Sequence, residues 1–239
     1  MSKYVISSSP HLRDNVSTTS IMRDVCIALL PAAVAGVLFF GYRSAIILAL
    51  SVAAAVLSEW LYCKATHSRN TIGDFSAVVT GMLLAMNLPV SIPLWQAVFG
   101  ALVAMVAVKG LFGGIGKNFA NPAITARIVM FLAFSKSMTA WVFPDAVSSA
   151  TPLAMMANGE SVDYLTLLLG NHGGCLGETS ALALLIGFAY LLIRGVISWH
   201  TPVCFVGTVF VMSLILGQDA VGQILSGGLM LGAIFMATD

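Results

Sequence analysis

Long apolar runs, separated by short polar, glycine- or proline-containing breaks, dominate the chain from residue 24 onward. A helix needs about 20 apolar residues to cross about 30 Å of hydrocarbon. Runs of that kind predict about eight spanning helices, at 24–42, 44–63, 75–92, 94–113, 121–140, 178–197, 201–217 and 220–237. The fold expected is an all-α polytopic membrane protein. Residues 1–23 precede it as a polar segment containing Lys3, Arg13 and Arg23, with no apolar core of its own, so a cleavable signal peptide is not expected. The pattern divides the chain into that N-terminal segment, a first membrane block over 24–140, a connection over 141–177, and a second block over 178–239.

Several runs are interrupted. Asn87-Leu88-Pro89 breaks the third, and Asn121-Pro122 opens the fifth after Gly113-Gly114-Ile115-Gly116. A broken helix is tolerated in a membrane only where protein or a cavity satisfies the freed backbone groups, so these breaks point to an internal site. The basic residues set the orientation: with the N-terminus in the cytoplasm, Lys3, Arg13, Arg23, Lys64, Arg69, Lys109, Lys117 and Arg194 fall on or near that side, and Arg43 and Lys136 on the other. The connection 141–177 is then extracytoplasmic, and a loop of that length is usually functional or disordered. Thr80–Ala85 and Gly227–Gly232 echo each other on helices predicted to run in opposite directions, as in an inverted repeat whose second half is truncated; chance similarity of two Gly/Leu/Met-rich helices is the other reading.

Composition agrees with a bilayer as solvent. Apolar and aromatic residues make up 59% of the chain, charged residues 9%, and mean hydropathy is +0.96, against about 25% charged in soluble domains. A formal net charge of +1 provides no basic face for nucleic acid. Cys26, Cys63, Cys175 and Cys204 are scattered, so no metal or iron–sulfur site is expected from this chain, and they read mostly as small apolar fillers.

The candidate chemistry lies in the connection, at Asp145-Ala146-Val147-Ser148-Ser149-Ala150-Thr151-Pro152. Thr151 followed by Pro152 reads as a helix N-cap and first position. A helix start also offers free N–H groups to an anion, so a phosphate joined to the Thr151 oxygen would sit there. Arg127 lies about two turns into the fifth segment, where a charge should face protein, a cofactor or water, or else snorkel to the interface. His172, Glu59 and Asp219 are further polar positions, with a surface histidine the plainer reading for the first.

The string ending at Thr151 resembles the flavin-attachment motif of the NqrB/RnfD family of membrane subunits. The resemblance extends to Asp74–Gly81, to Gly113–Ala123 with its Gly-Lys-Asn and Asn-Pro-Ala elements, and to Ser226–Asp239, in the family's order. Ser149 stands where many members have glycine, and family chains continue past Asp239. The short N-terminus is the RnfD-like form. The resemblance implies FMN joined by a phosphoester to Thr151, with Ser148, Ser149, Ala150, Asp145, Arg127 and Asn121 around the cofactor, and allows a second, noncovalent flavin such as riboflavin. Asp145 would orient the loop or bind metal during attachment, or be a solvated carboxylate; Ser148 would bond the phosphate or cap a turn. No catalytic residue is expected in this chain alone.

By the same resemblance the chain is an electron-transfer subunit of an Rnf-type ferredoxin:NAD oxidoreductase complex in the prokaryotic plasma membrane. That complex couples electron flow to Na⁺ or H⁺ movement, and the chain's partners would be the other membrane, flavin and iron–sulfur subunits and the lipid bilayer. Two other readings are an NqrB-like subunit of a sodium-translocating quinone reductase and a urea-channel-like small-solute channel.

Overall fold

A computed structural model describes residues 17–68, 71–118, 120–141, 151–160, 162–170 and 172–238, which contain helices and no strand. Helix α1 (Thr18–Phe40) starts at Thr18 rather than at the apolar boundary near residue 24, because Ser17 caps it, its hydroxyl oxygen accepting from the Ser20 N–H at 3.2 Å. The chain then turns on one residue, Gly41 at φ +74°, into α2 (Tyr42–Ala65). These two helices are long and apolar enough to cross a membrane.

Eight spans are predicted; among the described residues two helices reach that length, and five apolar helices of 10–17 residues lie in the other runs. Local breaks account for much of the difference. Helix α3 (Ser76–Met86) stops at Asn87. Helix α4 (Leu94–Leu102) widens into a π-helical stretch, Val103–Gly110, a distortion that often accompanies function. Helix α5 (Pro122–Ala133) breaks at Phe134 before the single turn α6 (Ser135–Met138). Helices α7 (Pro152–Ala157) and α8 (Tyr164–Leu169) follow, then α9 (Ala181–Ile193) and α10 (His200–Ile215). The last apolar run is interrupted at Ser226–Gly228, between α11 (Ala220–Leu225) and α12 (Leu229–Leu231), and ends in a second π-helical stretch, Gly232–Met236.

Helix α3 forms the centre of the core. Every residue in it except Val78 is buried, and it packs on α1, α2 and α5. Its carbonyls end at the Asn87 break, where water is excluded, so they need another partner. That partner is the segment Cys175–Gly177: the Gly177 N–H donates to the Met86 carbonyl at 2.8 Å and the Leu176 N–H to the Leu88 carbonyl at 3.2 Å. Leu88 and Cys175 are fully buried at this seam. A Cβ on Gly177 would lie 2.6 Å from the Met86 Cβ, so only glycine lets the two backbones approach. The end of the 141–177 connection, at Cys175–Gly177, is therefore packed into the core.

Helices α1 and α9 are tied by the buried Asp24, which accepts from Arg194 Nη2 at 3.1 Å and from the Tyr190 hydroxyl at 3.2 Å. Helix α10 buries only Pro202 and Ser213, and exposes Phe205, Phe210, Leu214 and Ile215. A face of that composition suits hydrocarbon or a partner helix rather than water.

Outside the apolar runs, Asp163 caps α8, accepting from the Thr166 hydroxyl at 2.9 Å and the Thr166 N–H at 3.2 Å. These bonds, chiefly that from the hydroxyl, hold its carboxyl below the ordinary range. A carboxyl lowered in the folded state stabilises above its unfolded pKa of about 3.9 and loses that contribution as pH falls through the folded value. Amide exchange at Thr166, corrected for intrinsic rates, is expected to accelerate below about pH 4. Asp163→Asn should remove that step, and an identical profile in the two proteins would refute the assignment.

Candidate functional site

The cavity beside Thr151 has a volume of about 370 Å³. Five separate parts of the chain line it: Arg127 from α5, Trp141, Thr151 to Leu153 at the start of α7, His172, Gly173 and Glu178 from the buried segment, and Gly227-Gly228 from the last break. The sequence singled out Thr151 and Arg127 separately, and the fold brings them to one cavity. Thr151 caps α7 as expected, although its hydroxyl oxygen accepts the Ala154 N–H at a long 3.4 Å. With only six residues in α7, the helix end offers little field. The fixed cation at this cavity is Arg127.

Arg127 is held from two sides. Its Nη1 donates to Asn87 Oδ1 at 2.8 Å, and its Nη2 lies 3.4 Å from Glu178 Oε1 and 3.5 Å from Cys175 Sγ. Glu178 Oε2 in turn accepts the Cys175 N–H at 3.2 Å, and Cys175 Sγ donates to the Asn87 carbonyl at 3.3 Å. The α3 break, the α5 arginine and the backbone seam thus form one network. Arg127 is not snorkelling to an interface; its side chain is one-third exposed, toward the cavity it lines.

Burial lowers His172 from its ordinary range. His172 is 3% exposed, with Nε2 unpartnered, and the surface reading of that residue is corrected accordingly. Gly227 (φ +70°) and Gly228 leave room at the pair: a Cβ on Gly228 would stand 3.1 Å from Glu178 Oε1 and 3.5 Å from Arg127 Nη1.

Asn121 plays a local part, its side chain capping α5 through the Ala123 and Ile124 N–H groups at 3.0 and 3.2 Å. It lines a different, small cavity with Thr80 and Asn118, not the one at Thr151. Asp145, Ser148, Ser149 and Ala150 lie outside the described residues. Glu178, Asn87 and the glycine pair were not singled out for the site by sequence. The signals that could have found them were a carboxylate at the head of an apolar run and a polar residue before Leu-Pro.

A second polar cluster occupies the other end of α3. Lys109, in the π-helical stretch, pairs with Glu59 of α2 at 2.6 Å and donates to the Ser76 hydroxyl, while Thr71 donates to Glu59 Oε1 at 2.7 Å. Both charged side chains are 5% exposed, and Glu59 Oε2 has no partner. They border a cavity of about 870 Å³. Lys109 is thus a buried ion-pair member.

Broken helices meeting at a charged, partly enclosed cavity within an apolar bundle define an all-helical membrane protein with an internal polar site. The chain belongs to the NQR2, RnfD, RnfE family, whose profile matches residues 5–239. It is 46% identical over 243 residues to a subunit of the Na⁺-translocating ferredoxin:NAD⁺ oxidoreductase complex of Acetobacterium woodii, covering 98% of this chain and 76% of that protein. Identity is 37% over 259 residues to the corresponding subunit of the proton-translocating ferredoxin:NAD⁺ oxidoreductase complex of Clostridium ljungdahlii, covering 99% and 78%. It is 32% over 286 residues to that of an ion-translocating oxidoreductase complex of Vibrio cholerae, covering 99% and 82%.

Proposed function

We propose that the chain is a membrane subunit of an ion-translocating ferredoxin:NAD oxidoreductase complex, and that it relays electrons through FMN joined by a phosphoester to Thr151. The first part rests on the family and on relatives that are themselves subunits of such complexes. Those relatives favour a ferredoxin-linked complex over a quinone-linked pump or a solute channel. The observation that carries the second part is the shared cavity: the threonine that matches the attachment motif and the arginine of the fifth segment line the same space.

The residues present fit the group. A volume of about 370 Å³ falls in the ordinary range for small-molecule sites. The single long contact between Arg127 and Glu178 leaves guanidinium donors for phosphate or ring oxygens, and Gly227-Gly228 keeps Cβ atoms out of the space. The flavin, when bound, supplies the redox chemistry; the chain tethers it at Thr151, keeps a cation beside it and excludes water with Trp141 and Leu153. With the N-terminus in the cytoplasm, the site opens toward the outer side of the membrane.

The test is direct. Full-length chain, coexpressed with its flavin-attachment enzyme and run on a denaturing gel, is expected to carry ultraviolet-excited flavin fluorescence, and Thr151→Ala to carry none. An unmodified Thr151 peptide by mass spectrometry of the native material would refute the covalent reading.

A further inference from the structure

We propose that Arg127 and Glu178 act as an opposed pair of charges that sets the reduction potential of the flavin at Thr151. Arg127 stabilises the charge that an added electron brings, and Glu178 positions Arg127 and offsets part of that effect. The inference rests on the flavin reading above.

Among the described residues that line the cavity, these are the only two acidic or basic side chains besides His172. Adding one electron to a neutral isoalloxazine makes the ring system one unit more negative unless a proton follows. A cation nearby favours that reduced form, and a carboxylate disfavours it. Both effects grow as water is excluded, and here the Glu178 side chain is largely buried and that of Arg127 two-thirds buried. Its geometry also departs from that of a structural salt bridge. The contact is single and 3.4 Å long rather than bidentate, and Arg127's shortest bond goes to the neutral Asn87. The guanidinium is therefore not saturated by its carboxylate, and its charge remains effective at the cavity.

Glu178 is a positioning residue in this scheme. It bridges the Cys175 N–H and Arg127 with its two oxygens, so Glu178→Gln retains the shape and one acceptor while removing the negative charge. The electron in the test comes from a chemical one-electron reductant such as dithionite.

The experiment is a potentiometric titration of the full, flavinylated chain in detergent, followed by the visible flavin absorption, for wild type, Arg127→Gln, Arg127→Lys and Glu178→Gln. Arg127→Gln is expected to lower the reduced-to-oxidised ratio at a fixed poise about tenfold, which is 59 mV for a one-electron couple. Arg127→Lys should retain most of the wild-type value, and Glu178→Gln should move the potential upward. A structural role alone would not give opposite signs. Shifts in the same direction, or none in Glu178→Gln, would overturn the proposal, and that arm decides the matter if Arg127→Gln fails to fold. Failure of the flavin reading is seen separately, as absence of fluorescence on wild-type Thr151.

Discussion

Gly177→Leu is expected to leave almost no folded protein, with a loss above about 4 kcal/mol in thermal or denaturant unfolding of the detergent-solubilised chain. The side chain would begin 2.6 Å from the Met86 Cβ and 3.1 Å from the Met86 carbonyl oxygen. Relief of that overlap requires the segment to move away, which breaks the bonds to Met86 and Leu88. Each buried carbonyl left without a donor costs about 1–3 kcal/mol, and overpacking adds a similar amount. Gly177→Ala should show a smaller loss of the same kind. An unfolding midpoint unchanged in the leucine variant would mean that the seam is not a structural requirement.

The second large effect is expected at the other end of α3. Lys109→Met should destabilise by about 3–5 kcal/mol, because Glu59 is then left buried and charged with Thr71 as its remaining hydrogen-bond donor. Replacing both members, Glu59→Met with Lys109→Met, should recover much of that loss, since two apolar side chains of similar volume need no partner. Unfolding of the four proteins closes a double-mutant cycle. If the two single losses simply add in the double variant, the pair is not coupled and the burial argument fails.

The sequence already showed the helical character, the break at Asn87 and the cap at Thr151, because each depends on residues close in the chain. Helix ends were less accessible: Ser17 starts α1 well before the apolar boundary, and the π-helical stretches at Val103–Gly110 and Gly232–Met236 leave no trace in the hydropathy. The assembly of the site was hidden for a different reason. Arg127 stood out as a charge in an apolar run, but its partners Asn87 and Glu178 lie 40 and 51 residues away, and no local pattern links them. Glu59 and Lys109, 50 residues apart, stand in the sequence only as a further polar position and an orientation signal, and only packing shows them as a pair. Cys175 looked like filler, yet it donates to a carbonyl freed by a broken helix.

The seam between residues 86–88 and 175–177 also constrains how the protein is made. During membrane insertion, α3 emerges from the ribosome long before its C-terminal carbonyls can meet their donors, and that end of α3 cannot be sealed until about ninety residues beyond it have been synthesised. A nascent chain halted before Cys175 would hold an unsealed polar notch within the lipid, open to an insertase or to a sister subunit. Biogenesis of this subunit should therefore be late and concerted, with resistance to proteolysis gained in one step once Gly177 has left the ribosome rather than helix by helix.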